Sequence, residues 1–216
     1  MKKLVFAIVI FITLSADFFA ERTVDFCLSF EPTLIINTGS PKDSAVSPIV
    51  YPFSFGAIFF KDKLLSFQPR LSFYTNYYLW DDDAAWPAEV ENRTATAFSF
   101  LIDLPAVYML PLAEHQALEF GAGAAVNARF AVLSNGVKES DAGSSGTAGD
   151  DVTEIQKYFW KDANFLFLEA FATYLYSFSE HLRIGPECRF YLPCGQTFSG
   201  NGLNGGMISL GIKACF

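Results

Sequence analysis

The sequence predicts an all-β protein, an eight-stranded antiparallel up-and-down β-barrel preceded by a cleavable signal peptide. Three observations predict this fold. The first residues have the pattern of an export signal, apolar and polar residues alternate in eight later segments, and the connections between these segments are alternately long and short. A chain of 216 residues can form one such barrel without dividing into two domains.

The N-terminal segment MKKLVFAIVIFITLSA has the three parts of a secretory signal, because Lys2 and Lys3 precede an apolar run that ends at small residues. We expect cleavage after Ala16, with Ala20 as the alternative, so that residues 17–216 form the barrel domain. The apolar run is too short to cross a bilayer as a helix. Removing the two lysines makes the formal net charge of −8 more negative. Such an acidic chain is not expected to bind nucleic acid.

The strands are predicted from a two-residue alternation. From Val24 to Leu34 every even position is apolar, and every odd position from Asp25 to Thr33 is polar or small. This period is typical of a strand and not of a helix. The same pattern reaches the last residue, Phe216. The eight predicted strands lie in segments 23–34, 51–59, 64–79, 98–104, 117–132, 164–176, 182–192 and 207–216.

The connections predict an up-and-down order of the strands. Long connections at 35–48, 80–93, 134–158 and 193–202 alternate with short ones at 61–63, 111–116 and 177–181. All long connections therefore lie at one end of the barrel, and both chain termini lie at the other. Because the third long connection is rich in glycine and serine, we expect it to be mobile.

The composition of the two strand faces indicates which face meets lipid. Apolar residues make up 51% of the chain, including 24 phenylalanines, and only 18% of residues are charged. In a soluble lipocalin-like barrel the apolar face would line a cavity and the charged face would meet water. Here small residues and charges of both signs share one face, and the other face carries no charge. This pattern favours a transmembrane barrel with a polar lumen.

Charges inside a narrow lumen need partners, because an unpaired buried ion costs several kcal/mol. We therefore predict an ion network in the lumen, with Asp25, Arg129, Glu169 and Arg189 within reach of opposite charges. The predicted network comprises Asp25, Glu31, Arg70, Asp103, Glu119, Arg129, Glu169, Arg183, Glu187, Arg189 and Lys213.

The signal, the eight strands, the alternating connections and the terminal Phe216 together resemble the small outer-membrane β-barrels of the OmpA, OmpX and OmpW type. Chain size and the glycine-rich segment FGAGAAV favour the OmpW type. The resemblance implies export through the periplasm to the cell outer membrane and contact with outer-membrane lipid. It also implies that the barrel-assembly machinery reads the last strand, at Leu210, Ile212, Ala214 and Phe216. We expect Phe216 to lie in the aromatic girdle at the short-turn end.

Two cysteines, Cys27 and Cys215, are predicted to face inward on the first and last strands, which become neighbours when a barrel closes. A disulfide between them suits an oxidising periplasm, provided that their Cα atoms come within roughly 7 Å. Cys188 and Cys194 are a second conceivable pair. Four cysteines allow three pairings, so the sequence leaves the pairing and the free thiols open.

The polar residues of the connections do not form a recognisable reaction centre. His115 and His181 each follow a glutamate in a short turn, away from the serines and acids of the long connections. We therefore expect solvated turn histidines, no enzyme activity, no cofactor and no metal site. Asp81–Asp83 lacks the ligand spacing of a calcium loop, so we expect solvated acidic loop charges.

Three functions remain open from the sequence. The first is a structural barrel with a largely plugged lumen, present as a monomer, whose long acidic surface loops contact extracellular ligands. The second is a passive channel for small or hydrophobic molecules, as the OmpW resemblance implies. The third is a soluble lipocalin-like ligand-binding barrel, which would require the two faces to be inverted.

Overall fold

The structure is a computed structural model that describes residues 24–38, 44–45, 47–61, 63–81, 83–179, 182–198 and 202–216. The predicted signal peptide, residues 1–16, lies outside the described residues, as do Asp82 and His181. Within these ranges, no helix is both long and apolar enough to cross a membrane.

Eight antiparallel strands form a closed ring. Each strand pairs with the next one along the chain, and the last pairs with the first. The predicted up-and-down barrel is therefore confirmed. We number the barrel strands β1 (Val24–Phe30 and Thr33–Ile35), β2 (Ile49–Val50 and Phe53–Phe59), β3 (Leu65–Phe67 and Arg70–Asp81), β4 (Ala95–Ala113), β5 (Gln116–Leu133), β6 (Leu166–Ser179), β7 (Leu182–Pro193) and β8 (Met207–Cys215).

Prolines interrupt the first three strands. Pro32, Pro52 and Pro69 each lie between the two segments of their strand, because proline has no N–H to donate to a neighbour. Strand β4 continues through Pro105 and Pro111 without interruption. It is therefore far longer than the predicted segment 98–104. The predicted boundaries of that strand and of its following turn were therefore wrong.

The two faces of the barrel have the predicted orientation. Large apolar side chains such as Phe55, Leu71 and Phe100 are exposed on the outside, whereas Ser54 and Ser72 of the opposite parity are buried inside. This arrangement is the reverse of a lipocalin-like barrel, so the third functional hypothesis loses its structural basis.

Three of the long connections contain secondary structure of their own. Ala84–Pro87 pairs with the end of β3 in the second connection. The third connection contains a small hairpin (Ala142–Gly143 and Gly146–Thr147), helix α1 (Ala148–Trp160) and a 3₁₀ turn (Lys161–Ala163). The fourth contains the short helix α2 (Cys194–Phe198).

The third connection is therefore folded, and the expectation that it is mobile was wrong. The side chain of Thr147 accepts a hydrogen bond from the Asp150 amide, and the Asp150 carboxylate accepts one from the Thr147 amide, which forms a capping box. These bonds hold the pKa of the Asp150 carboxyl below its usual range. Asp151, predicted as a solvated charge, is buried and accepts hydrogen bonds from the amides of Ser144 and Ser145.

Helix α1 packs into the long-loop end of the barrel. Ile155 and Phe159 are fully buried, and the Phe159 ring lies 4.9 Å from that of Tyr78 on β3. The Gln156 side chain accepts a hydrogen bond of 2.8 Å from the amide of Ala131 on β5. The helix is thus attached to the inner walls of two strands and covers part of the opening.

Candidate functional site

The centre of the lumen is organised around Arg70 of β3. Its Nε donates to Asp103 at 2.7 Å, and its Nη2 donates to the Tyr191 hydroxyl at 2.5 Å. Its Nη1 contacts Glu31 and, at 3.2 Å, Glu187. All five side chains are buried. One guanidinium therefore connects four strands across the interior.

Arg189 of β7 is the second buried cation of this cluster. It donates to Glu169 at 2.6 Å and to Glu187 at 2.8 Å. Its guanidinium carbon also lies 3.9 Å from the centre of the Phe171 ring, a favourable cation–π distance. Gly121 on β5 leaves the space for this ring, because a Cβ there would lie 2.1 Å from it.

Lys213 of β8 is the third cation. Its Nζ lies 2.8 Å from Glu119, 3.7 Å from Glu187 and 2.7 Å from the amide oxygen of Gln68. Glu187 thus contacts all three cations. We call this set the lumen cluster, and it joins seven of the eight barrel strands through Glu31, Arg70, Asp103, Glu119, Glu169, Glu187, Arg189 and Lys213.

The lumen cluster is not electrically balanced. Five carboxylates face three cations in the ion pairs just described. One carboxylate oxygen each of Asp103 and Glu169 has no hydrogen-bond partner among the described residues. The formal charge of the lumen cluster is therefore negative. The described residues contain no group of three or more side chains suited to hold a metal ion.

Two predicted network members, Asp25 and Arg183, form a separate pair at the short-turn end. Arg183 donates to Asp25 at 2.9 Å, and Lys61 donates to the same carboxylate at 2.6 Å. All three side chains are partly exposed, so the pair is screened by water. Lys61 was missed because it lies in a segment that reads only as a turn.

Arg129 of β5 pairs with no acid among the described residues, which differs from the prediction that it lies within reach of one. Its Nη2 donates to the Asn164 carbonyl at 2.8 Å, and its guanidinium carbon lies 4.2 Å from the centre of the Phe159 ring. Its Nε has no partner among the described residues. Asp103 is opposite Ala125 in the register of β4 and β5. Arg129 is four residues further along β5 than Ala125, which corresponds to about 13 Å along a strand. Arg129 therefore lies in the outer mouth, above the lumen cluster.

Two further lumen partners were not predicted. Tyr191 donates to Asp103 at 3.2 Å, and Gln68 donates to Glu119 at 3.1 Å. Both share the inward parity of a predicted ion, since Tyr191 is two residues from Arg189 and Gln68 is two residues from Arg70. The two-residue alternation is therefore sufficient to predict that both side chains face the lumen.

The barrel wall has a cleft between β2 and β3 near the long-loop end. Pairing of the two strands extends only to Phe53 and Phe73. Beyond this point Ile49–Val50 pairs with β1 instead. The resulting cleft has a volume of about 560 Å³, and Tyr51 and Thr75 form part of its lining.

A disulfide joins Cys27 of β1 to Cys215 of β8. The two residues are directly opposite in register, next to a pair in which Phe26 and Phe216 exchange both backbone hydrogen bonds. Opposed residues that do not exchange such bonds bring their side chains closer, which suits a disulfide.

The alternative cysteine pair is not formed. Cys188 is exposed on the outside of the barrel, whereas Cys194 is buried in α2, and both are free thiols. The alternation of β7 explains the separation, because Cys188 has the outward parity of its strand while Cys194 follows the end of that strand.

The predicted assembly residues lie on the outer face of β8. Leu210, Ile212 and Phe216 are exposed, and Ala214 is partly exposed. The last residue is fixed to β1 by two backbone hydrogen bonds of 2.9 Å to Phe26. The side chain of Phe216 therefore extends outward from a paired strand at the short-turn end.

The outer mouth holds a small cavity of about 50 Å³ and, further out, a cleft of about 520 Å³. Tyr158 and Gln196 line both, and Gln196 donates to the Tyr158 hydroxyl at 2.9 Å. Burial raises the pKa of Tyr158 above its usual range. On the opposite end, His115 is an exposed turn residue, as expected.

Comparison with known proteins gives matches only at the level of structure: no protein-family model and no curated protein sequence matches the chain. The crystal structure of neisserial surface protein A aligns with a TM-score of 0.51 and 12% identity, over 89% of this chain and 94% of that chain. Ail of Yersinia pestis aligns with a TM-score of 0.46 and 9% identity, over 89% of this chain and 97% of that chain. The N-terminal barrel of Pseudomonas aeruginosa OprF aligns with a TM-score of 0.41 and 10% identity, over 89% of this chain and 97% of that chain.

The alignment with neisserial surface protein A covers nearly all of both chains, at an identity that reports on the fold alone. It agrees with the closed ring of β1 to β8 and with the outward apolar face described above. The chain therefore has the fold of the small eight-stranded outer-membrane β-barrel proteins.

Proposed function

We propose that the chain is a monomeric protein of the cell outer membrane, a structural barrel with a plugged lumen whose long loops interact with molecules outside the cell. It would be exported by a signal peptide, inserted by the barrel-assembly machinery and surrounded by outer-membrane lipid. The lumen cluster carries the proposal, because its ions come from seven of the eight strands and meet in the interior. We assign no catalytic reaction to it.

Two layers support a plug. An eight-stranded barrel is only wide enough for its own side chains, and buried Arg70, Arg189 and Lys213 occupy this space together with their acids. The second layer is helix α1, whose Ile155 and Phe159 fill part of the outer mouth. An ion crossing the barrel would have to displace the first layer, and the second layer narrows its access from the outer mouth.

Planar-bilayer recording on refolded protein tests the plug. We expect no steady single-channel conductance from the native chain across many insertions. The double variant Arg70→Ala and Arg189→Ala removes two long side chains and should conduct, whereas Arg93→Ala in the second connection should stay silent. Heat-modifiable migration on a gel verifies that each variant has folded. Steady conductance from the native protein would contradict the plug.

The surface role is supported by the charge of the outer connections. Acids outnumber bases there, so a basic or cationic partner is the expected ligand, and its binding should weaken as salt is added. The described acids of the second and third connections are Asp81, Asp83, Glu89, Glu91, Glu139, Asp141, Asp150, Asp151, Glu154 and Asp162.

The cleft between β2 and β3 favours a second candidate, a passive path by which small hydrophobic molecules pass between the outer mouth and the bilayer. The OmpW-like preference stays a prediction that fits this candidate. Entry of a small hydrophobic fluorophore into proteoliposomes measures it. Thr75→Trp should fill the cleft and slow entry, while Thr96→Trp on β4 should not. Equal rates in protein-free liposomes would exclude such a path.

A further inference from the structure

We propose that the outer mouth binds a small organic monocarboxylate, whose carboxylate occupies the cavity beside Arg129 and whose hydroxylated body lies in the outer cleft. The inference goes beyond the plug and the surface role, and it is measured by binding instead of conductance. Either can therefore fail while the other stands.

The first step is the charge of the inner cavity. Arg129 is the only charged residue among the described residues that line its volume of about 50 Å³. The three buried cations of the lumen cluster, Arg70, Arg189 and Lys213, are all paired with acids, whereas Arg129 is partly buried. A cation that has no acid among the described residues lining a partly enclosed cavity favours an anionic ligand.

The second step is the set of unused donors on Arg129. Among the described residues, one of its five N–H groups is paired, from Nη2 to the Asn164 carbonyl, while the Phe159 ring covers one face of the guanidinium. Its Nε is buried and has no partner among the described residues. A guanidinium edge with free N–H groups matches the two oxygens of a carboxylate.

A third observation comes from Asn127, two residues earlier on the same face of β5. Asn127 is 2% exposed and lines the cavity, and its side-chain oxygen has no partner among the described residues. Its amide nitrogen donates to the Tyr74 hydroxyl at 2.8 Å. The two ends of an amide exchange places by a flip, after which Tyr74 donates to the oxygen and the NH₂ becomes a second donor for the anion.

The outer cleft gives the chemistry of the ligand body. It shares Tyr158, Asn164, Gln196 and Asn204 with the inner cavity, so the two spaces adjoin. All four long connections contribute to its volume of about 520 Å³. Amide, hydroxyl and carboxylate groups and the ammonium of Lys161 line it together with the aromatic rings of Trp86 and Tyr158, which suits a ring that carries hydroxyl groups.

Size and charge restrict the anion to a single negative charge. The inner cavity is large enough for a carboxylate group but not for a whole ring. Only one cation faces the inner cavity. In the outer cleft, Lys161 lies 3.5 Å from Asp162, which leaves the carboxylate of Asp83 to repel a second negative charge. A sugar acid satisfies all of these conditions.

Isothermal titration of the refolded full chain in detergent micelles tests the proposal. The probes are sodium glucuronate, sodium acetate, glucose and sodium chloride at constant ionic strength. We expect glucuronate to bind most tightly, acetate more weakly, and glucose not at all. Arg129→Gln should weaken glucuronate binding at least tenfold, and Arg93→Gln, an outer arginine that lines neither space, should leave it unchanged.

Several results would overturn the proposal. These are glucose binding as tightly as glucuronate, binding of chloride alone, absence of any carboxylate binding, and equal loss in the two arginine variants. Should Arg129→Gln fail to refold, the comparison of glucuronate with glucose on the native chain still decides, and Asn127→Leu provides a second variant. Asn127→Leu is expected to weaken the binding of glucuronate, while glucose still does not bind.

Discussion

Arg70 and Arg129 are both arginines on the inward face of their strands, yet their side chains have different environments. Arg70 lies at the level of Glu31, Asp103 and Glu187 and is fully engaged by them. Arg129 lies further along the axis, where helix α1 provides the aromatic ring of Phe159. Alternation in the sequence determines which face a residue occupies, while strand register determines its partners.

Replacing Arg70 with glutamine should destabilise the barrel strongly. The change leaves buried carboxylates, above all Asp103, without their main cation, and breaking a buried ion pair in this way costs about 3–5 kcal/mol. Urea unfolding in lipid vesicles measures the free energy of unfolding. Arg93→Gln is the control, because its guanidinium donates to two backbone carbonyls and lies over the Tyr77 ring at the exposed outer end, and it forms no ion pair among the described residues. A loss of less than about 1 kcal/mol, the value of an exposed pair, would show that the cluster is not tightly coupled.

Replacing Phe216 with alanine should lower the fraction of chains that reach the assembled, heat-modifiable form in the outer membrane. The backbone bonds to Phe26 do not need the aromatic ring, so a defect would reflect recognition and not strand pairing. Phe120→Ala is the matched control, since Phe120 is 47% exposed and Phe216 51% exposed on the outer face. Equal assembly of the two variants would contradict a role in the assembly signal.

At the scale of elements, helix α1 shows where the sequence interpretation failed and why. Thr147 and Asp150 have the spacing of a capping box, and Val152, Ile155 and Phe159 follow at helical intervals. The signal was present, but the glycine and serine of the preceding hairpin suggested one flexible loop. That hairpin is held by Asp151, and a Cβ on Gly143 would lie 2.6 Å from its carboxylate. Bonds from a side chain to the backbone six and seven residues away do not produce a repeating pattern in the sequence.

Removing the cap with Thr147→Ala should loosen the start of α1 by about 1 kcal/mol. Hydrogen exchange of the first-turn amides measures the change. Thr153→Ala is the control, because Thr153 is exposed and bonds only the helix carbonyl of Gly149. If both variants exchange at the native rate, the capping box does not hold the helix.

The same cap predicts a pH dependence. Because the pKa of Asp150 is lowered in the folded chain, its contribution to stability is present above the usual aspartate pKa of about 3.9 and is lost as the pH falls through the lowered value. Protection of the α1 amides should therefore decrease in acid. In Thr147→Ala the pKa of Asp150 should return toward its usual value, which an NMR titration of that carboxyl detects.

At the scale of the molecule, the closed ring could be predicted because alternation, connection lengths and strand number are all local properties of the sequence. The candidate ligand site could not, since it combines residues from four connections and depends on where α1 packs. Lys61 and Arg129 illustrate the difference. Lys61 lies in a turn and still forms an ion pair with Asp25. Arg129 lies outside the predicted network because the strand register places it nearer the outer mouth than the lumen cluster.

Replacing both Cys27 and Cys215 with serine should lower the free energy of unfolding by about 5 kcal/mol in the chain-entropy view, because the bond closes a sequence separation of 188 residues. Urea unfolding with and without reductant measures this difference. Cys188→Ser and Cys194→Ser are the controls, since neither forms a disulfide. An unchanged unfolding midpoint after reduction would contradict a stabilising bond.

The bond between the first and last strands also changes the connectivity of the polypeptide. Together with the peptide backbone from Cys27 to Cys215 it closes a covalent circle. A single protease cut within that circle opens it but releases no fragment, because the disulfide still joins the two pieces. A protein that exposes its connections to extracellular proteases would thus keep every strand after one cleavage, and two bands would separate on a gel only after reduction.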